Sequence, residues 1–355
     1  MSIFQLKGHS GAVNDLTFVP GQETVLLTAS SDGTVRIWDV DSAKCCGVVR
    51  VPRRYAVTNE DMDRLEAKPK DKQERHLEAV TPEVTCLSVS QTGDLVAVGV
   101  GSSVLFYDIA KTNDPGNGLL GAYTESHQTR ISQLKFHPTM PHYLLSGSED
   151  NLVNIFDVRQ PTEDDALNGV INAESSVRHF GFFGPQNAFV WIQTNCNSLS
   201  LWNVGSTECL ANYRWLSNTL AEKGFNVDHL VTCSYAEDYQ CLILLCGTDI
   251  GGMSMFQVLP DDIVFMSTLT KSIHNSGIRC GAWAGQSLTF NGADIPRNAL
   301  YTGSEDGSLV RWLPKDASCV AANGSRSTTK KPPGRRHPTV VNERRKLSVP
   351  GTKPY

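Results

Sequence analysis

Three stretches of this 355-residue chain repeat one another: LLTASSDGTVRIWD at 26–39, LLSGSEDNLVNIFD at 144–157 and LYTGSEDGSLVRW at 300–312. Such copies constrain the architecture before any single residue is weighed, because each is one supersecondary unit that cannot bury its apolar face alone. The first two begin on a short apolar run, Leu26-Leu27 or Leu144-Leu145, and then cross a small polar turn, Ser30-Ser31-Asp32-Gly33 or Ser148-Glu149-Asp150-Asn151. They leave on alternating β-branched and aromatic residues, Val35-Arg36-Ile37-Trp38 or Val153-Asn154-Ile155-Phe156. That order predicts a β-hairpin, and the Asp-Gly and Asp-Asn steps supply residues that tolerate its unusual turn angles.

A second marker lies upstream of each hairpin. Gly8-His9 precedes a strand-like run at 13–18, His127 precedes one at 131–136, and His274 precedes one at 278–283. The unit is therefore His, strand, loop, hairpin, aromatic. Its spacing is constant: Thr28, Asp32 and Trp38 are 4 and 6 positions apart, as are Ser146, Asp150 and Phe156, and Thr302, Asp306 and Trp312.

This pattern resembles the WD40 repeat family. The resemblance implies an all-β fold, a β-propeller of four-stranded blades. It also implies that the His, Ser or Thr, Asp and Trp of one repeat form a buried hydrogen-bonded network. By position these would be His9, Thr28, Asp32 and Trp38 in the first unit, His127, Ser146, Asp150 and Phe156 in the middle one, and His274, Thr302, Asp306 and Trp312 in the last. Phe156 stands in place of Trp, so the middle network lacks its indole donor. A Ser or Thr, His and Asp set invites a catalytic reading, but three recurrences suit a scaffold and not one active site.

Three weaker units lie between, at 84–109, 177–204 and 227–258, and place anchor aromatics or their equivalents at 38, 107, 156, 202, 256 and 312. Successive separations of 69, 49, 46, 54 and 56 are near the roughly 40–45-residue WD40 period, except the first. Outer strands are predicted at 45–51, 119–124, 167–171, 209–213 and 263–269. No such run follows the sixth hairpin, so Ser2-Ile3-Phe4-Gln5-Leu6 is expected to pair onto the last blade and close the ring. Six blades are visible and seven are possible. Residues 1–322 make the propeller. The runs at 119–127, 135–138, 151–157, 163–167 and 175–177 are similar to one particular branch of the family.

The surplus between 38 and 107 is a charged insert, 52–80, with seven Lys or Arg and seven Asp or Glu. Asn59 followed by an acidic turn, with Pro69 beyond, predicts a short helix on a mobile loop, with Asn59 as its cap. Its face is the one on which WD40 relatives usually dock partners.

The segment 323–355 differs in composition. It holds nine Lys or Arg and one acid, so of the chain's 32 basic and 37 acidic residues, 23 and 36 fall in 1–322. Its two clusters, Lys330, Lys331, Arg335 and Arg336, then Arg344, Arg345 and Lys346, predict a disordered basic tail acting as a nuclear import signal or as an RNA-attracting arm. Contacts of that kind are weak and salt-dependent. The ten cysteines form no Cys-x-x-Cys pair and fall mostly in predicted strands (Cys86, Cys233, Cys241, Cys246, Cys280), which points to buried reduced thiols and no metal site. No run approaches a membrane span, and Met1 to Ser10 has no signal-peptide pattern. The expected location is nucleus or cytoplasm, not outside the cell.

No phosphate loop, nucleophile elbow or nucleotide fingerprint occurs, so neither an enzyme nor a cofactor is expected. The principal expectation is a non-enzymatic scaffold, monomeric outside a complex, that docks protein or peptide partners in a nuclear or nucleolar assembly. Glu83 and Arg130 stand before inner strands and are candidate partner contacts. Asp157-Val158-Arg159 resembles the Asp-x-Arg box by which some WD40 proteins dock a cullin-RING ligase adaptor, which makes a substrate receptor working through Asp157 and Arg159 the alternative. Weak RNA association through the tail is a further one.

Overall fold

A computed structural model of the chain describes residues 5–66, 80–112, 118–237, 240–269, 274–283, 289–290, 293–294 and 299–312. The chain divides into two compact units. The first comprises the residues up to 219 together with 235–242; the second comprises 220–234 and everything from 243 on.

The first unit holds four antiparallel meanders of four strands each. Sheet one is β1 (Val13–Val19), β2 (Gln22–Ser30), β3 (Thr34–Asp39) and β4 (Lys44–Arg50). Sheet two is β5 (Val84–Val89), β6 (Leu95–Val100), β7 (Ser103–Asp108) and β8 (Leu119–Tyr123). Sheet three is β9 (Ile131–Phe136), β10 (Tyr143–Ser148), β11 (Leu152–Asp157) and β12 (Leu167–Asn172). Sheet four is β13 (Val177–Phe183), β14 (Phe189–Thr194), β15 (Leu199–Asn203) and β16 (Cys209–Tyr213).

The second unit holds sheet five, β17 (His229–Ala236), β18 (Cys241–Gly247), β19 (Met253–Val258) and β20 (Ile263–Leu269), apart from the 235–242 hairpin end. Sheet six is a three-stranded meander of β21 (Ile278–Trp283), β24 (Leu300–Ser304) and β25 (Leu309–Trp312), and β22 (Thr289–Phe290) and β23 (Ala293–Asp294) form a separate two-stranded ribbon. These are the six expected propeller blades, and the five predicted outer strands stand where the sequence places them. The predicted closing strand falls largely on residues 1–4, outside the described residues; Gln5 and Leu6 belong to no strand.

Core residues explain why the sheets stack. Leu27, Ala29, Val35, Ile37 and Val49 of sheet one meet Val84, Leu87, Val96, Val98 and Leu105 of sheet two. The opposite face of sheet two sends Cys86, Ala97, Val104 and Phe106 against Ile131, Leu134, Phe136, Leu144 and Phe156 of sheet three. Leu145, Val153, Ile155 and Ile171 then meet Phe180, Phe182, Val190 and Ile192 of sheet four. An interior sheet is thus covered on both faces. Fully burying one such aliphatic side chain contributes about 1.5–3 kcal/mol.

Each outer strand carries a bulge at one fixed place, beside the anchor aromatic. Ile37 pairs Gly47 but Trp38 pairs Cys45, so Cys46 is extra. Leu120 is skipped beside Tyr107, Asn168 beside Phe156, Leu210 beside Trp202 and Met266 beside Phe256. A bulge twists an exposed edge away from further strand pairing.

The insert departs from expectation. Helix α1 (Asn59–Glu66) forms, but its cap is Thr58, whose Oγ1 accepts from Asp61 N at 3.2 Å. Asn59 turns outward instead: its Nδ2 donates to Thr124 O at 2.6 Å and to His127 O at 2.8 Å, while Glu60 N donates to Gln128 O at 2.9 Å. Residues 58–60 are therefore fastened to the loop entering sheet three and are not mobile; 67–79 lie outside the described residues. Asn59→Ala removes two bonds worth about 1 kcal/mol each. Amide exchange across α1 should quicken tenfold or more, while exchange in β10 and β11 stays unchanged.

Candidate functional site

The three His-containing sets lie where the repeat spacing puts them, and the sheets explain why. The hairpin turn between the second and third strands returns the Asp to the level of the His that precedes the first strand. In sheet one, His9 Nδ1 is 2.9 Å from Asp32 Oδ2, His9 Nε2 is 2.7 Å from Thr28 Oγ1, and Trp38 Nε1 donates to Thr28 Oγ1 at 2.8 Å. An indole can only donate. The arrangement that satisfies every group then runs from Trp38 N–H to Thr28, from the Thr28 hydroxyl to His9 Nε2, and from His9 Nδ1–H to Asp32. Ser10 N, Thr34 N and Thr34 Oγ1 also donate to Asp32, at 2.9, 3.0 and 2.6 Å. Burial pushes the Asp32 carboxyl up, but the bonds from Thr34, Ser10 and His9 outweigh it and hold it well below the usual carboxylate range.

Sheet three repeats this with one change. His127 Nδ1 is 2.9 Å from Asp150 Oδ2 and His127 Nε2 is 2.7 Å from Ser146 Oγ. For Asp150, too, burial raises the carboxyl and the His127 bond more than reverses it. Phe156 supplies no donor. It is fully buried against Tyr123, ring centroids 4.8 Å apart, and Asn154 enters the polar group instead, its Nδ2 donating to Ser126 O at 2.8 Å and standing 3.3 Å from His127 Nε2.

Sheet six corrects the carried-over pattern. His274 Nε2 and Trp312 Nε1 both meet Thr302 Oγ1 at 2.8 Å, but His274 Nδ1 meets Ser308 Oγ at 2.7 Å, with Asp306 behind it. Asp306 is held below its ordinary range by Asn275 N–H first and by Ser308 next. Burial pushes His274 down against the pull of Asp306. The sequence signal for this relay is a hydroxyl two residues after the Asp, as in Asp32-Gly33-Thr34 and Asp306-Gly307-Ser308.

No member of these sets has a free hydroxyl poised beside an open cleft. Each group is used up by its own blade, which suits structure and not nucleophilic catalysis. Among the described residues no group of three His, Cys, Asp or Glu could hold a metal ion. All nine described cysteines are free thiols; Cys86, Cys233, Cys241 and Cys246 are buried, but Cys280, expected inside, is exposed on β21. Burial pushes the Cys86 thiol up to about 12, which leaves it unreactive.

Within a sheet, the loop before the inner strand is tied to that sheet's own hairpin turn. Hairpin-turn N–H groups of Ser31, Glu149, Asn195 and Glu305 donate to the carbonyls of Ala12, Arg130, Ser176 and Gly277. Glu83 and Arg130 are brought together, Arg130 Nη2 lying 3.0 Å from Glu83 Oε1. Glu163, which sequence reasoning gave no role, collects Thr124 N, Glu125 N and Ser126 N at 2.6, 3.0 and 2.7 Å. At the same end of the first unit, after β16, the Trp215 side chain stands 74% exposed next to Arg214, which pairs with Glu174.

At the other end of sheet three, Arg159 folds back on Asp157, donating from Nε at 2.9 Å and from Nη2 at 2.5 Å. That pairing holds the Asp157 carboxyl down to about 2. The basic clusters Lys330, Lys331, Arg335, Arg336, Arg344, Arg345 and Lys346 lie outside the described residues.

The model of the WD domain, G-beta repeat, matches residues 1–39 and 120–157. The chain is 27% identical over 329 residues to the WD repeat-containing protein 89 homolog of Dictyostelium discoideum, covering 92% of this chain and 78% of that one. It is 28% identical over 351 residues to the WD repeat-containing protein GTS1 of Arabidopsis thaliana, covering 94% and 78%. Among solved structures, a chain of the crystal structure of the mitotic checkpoint complex superposes with a TM-score of 0.61 at 14% identity, over 87% of this chain and 77% of that one.

Proposed function

Because this chain belongs to the WD40 repeat family, we propose that it is a non-enzymatic scaffold that docks protein partners on the loop ends of its blades within a nuclear or nucleolar assembly. The observation that carries the reading is the self-contained use of all three His networks. It removes the groups best placed for catalysis and leaves the loop ends as the exposed chemistry. Trp215 is the strongest single anchor there, since a Trp held in water is the residue type that dominates binding energy once covered. The basic tail is the source of the nuclear location and of any RNA attraction.

The test is proximity labelling of the intact chain, followed by recovery of labelled partners with Trp215→Ala. Protein partners should be enriched, and the Ala variant should lose at least one of them tenfold or more at unchanged folding. Enrichment of none, or full recovery by the variant, rejects docking through this face. A ligase receptor acting through Arg159 is the weaker reading, because an adaptor must first open the Asp157–Arg159 pair.

A further inference from the structure

Sheet two is built without the polar network of the sheets on either side of it. Four residues before β5 the chain has Val80, where sheets one and three have His9 and His127. Val98, buried, takes the place of Thr28 and Ser146. The β6–β7 turn is only Gly101-Ser102 and carries no Asp. Of the whole set the aromatic alone remains, Tyr107, and its buried hydroxyl has no hydrogen-bond partner. Sheets one, three and four also tie their hairpin turns to their own entry loops, through the N–H groups of Ser31, Glu149 and Asn195. Among the described residues the turn of sheet two has no such bond; Gly101 O instead accepts from Ile131 N of sheet three at 2.8 Å.

The outgoing arm of the insert, 51–60, lies over this turn. It starts on sheet one, where Val51 N donates to Gly33 O at 3.0 Å and Val51 packs into the layer between sheets one and two. It passes Gly101, whose φ is +56° and where a Cβ would stand 3.2 Å from Tyr55 O and 3.3 Å from Val57 O. There Asn59 N donates to the buried Ser102 Oγ at 3.0 Å. Both amide hydrogens of Asn59 then go to Thr124 O and His127 O, and Glu60 N goes to Gln128 O, all in the entry loop of sheet three. The returning arm closes on sheet one again, since a Cβ at Gly33 would sit 2.9 Å from Pro82 O. Buried backbone carbonyls must be paired, so releasing Asn59 strands two acceptors as well as Ser102.

We infer that residues 51–60 are a strap that replaces the missing network of sheet two, pinning its β6–β7 turn between sheet one and the entry loop of sheet three. The His sets tie a turn to the loop of its own sheet; the strap ties a turn to the loop of the next. The inference stands apart from the docking reading, because it assigns this stretch to the fold and not to a partner.

Native-state hydrogen exchange on the intact chain tests it, read at the β2–β3, β6–β7 and β10–β11 hairpins. Asn59→Asp sets a carboxylate against the Thr124 and His127 carbonyls. Exchange at the β6–β7 turn and at residues 124–128 should quicken about tenfold or more, while the other two hairpins stay unchanged. Asn59→Ala, the milder change, should show the same pattern if the Asp chain fails to fold. Replacing residues 61–80 by a Gly-Ser linker should leave the β6–β7 turn protected, whereas replacing 53–80 should not. A β6–β7 turn unmoved in the Asn59 variants overturns the proposal. So does equal quickening in all three hairpins, which marks general loosening, or a turn that stays protected without residues 53–60.

Discussion

Phe156→Ala should be the most destabilising single truncation among the network positions, costing about 3–5 kcal/mol. Phe156 is fully buried and sits in the layer between sheets two and three, with Tyr123 beside it and Phe106 beyond, ring centroids 4.7 Å from Tyr123. Leu144 and Ala166, its other neighbours in that layer, are themselves fully buried on strands and a helix end, so the vacated space cannot collapse. Phe156→Trp makes the sharper comparison. It restores the donor that Trp38 and Trp312 supply to their hydroxyls, a gain of about 1 kcal/mol. It also forces a larger ring against Tyr123 and Ala166, at about 1–3 kcal/mol. The expected result is no gain in stability. Urea denaturation of both variants checks this; a Trp variant clearly more stable than the parent would mean that the layer has room and that the missing indole is the real deficit.

The His, Ser or Thr, Asp and aromatic spacing was enough to place three blades, with strand-like runs placing the other three, and to put two of the networks close to their observed form. What spacing could not show was which groups substitute when a member changes. Sheet two looks degenerate because Val98 occupies the hydroxyl's place and the sheet is held by Val, Leu and Phe packing on both faces. In sheet three the amide of Asn154 fills in, and in sheet six Ser308 intervenes between His274 and Asp306. These depend on cross-strand register, which the repeat spacing leaves open. The insert was misread for the same reason. Thr58 and Asn59 are both good cap residues, and only the nearness of the Thr124 and His127 carbonyls decides that Thr58 caps while Asn59 reaches across. Glu83 and Arg130 are candidate partner contacts by position, and only the register of neighbouring blades shows that they form a pair with each other. The outer-strand bulges carry no single residue signature: Cys46, Leu120, Asn168, Leu210 and Met266 share a place but not one side-chain type.

Asp32→Ala should cost about 2–4 kcal/mol and flatten the acid side of the stability profile. The carboxylate accepts from Ser10 N, Thr34 N, Thr34 Oγ1 and His9 Nδ1, and an Ala leaves all four donors without it; orphaned buried donors cost about 1–3 kcal/mol each, less where water reaches them, as it does at Ser10. The pH dependence follows from the direction of the shift. Asp32 and Asp150 are held below their ordinary range in the folded chain. A depressed folded-state pKa contributes stability above the unfolded-state value, and that contribution fades as pH falls through the interval toward the folded-state value. The parent should therefore lose stability steeply below about pH 4, where the unfolded carboxyls take up protons. The Ala variant should start lower and fall less steeply, because one of the two protonations no longer matters. Asp32→Asn separates the charge from the hydrogen bonds. Its oxygen can still accept from Thr34, but its amide cannot accept from His9 Nδ1, so the imidazole must carry its proton on Nε2 and Thr28 is left facing two donors, His9 and Trp38. Asn should therefore recover about half of the loss at neutral pH and none of the acid slope. Thermal melts of the three chains from pH 3 to pH 7 measure both quantities, and parallel profiles would show that Asp32 acts as a hydrogen-bond acceptor alone.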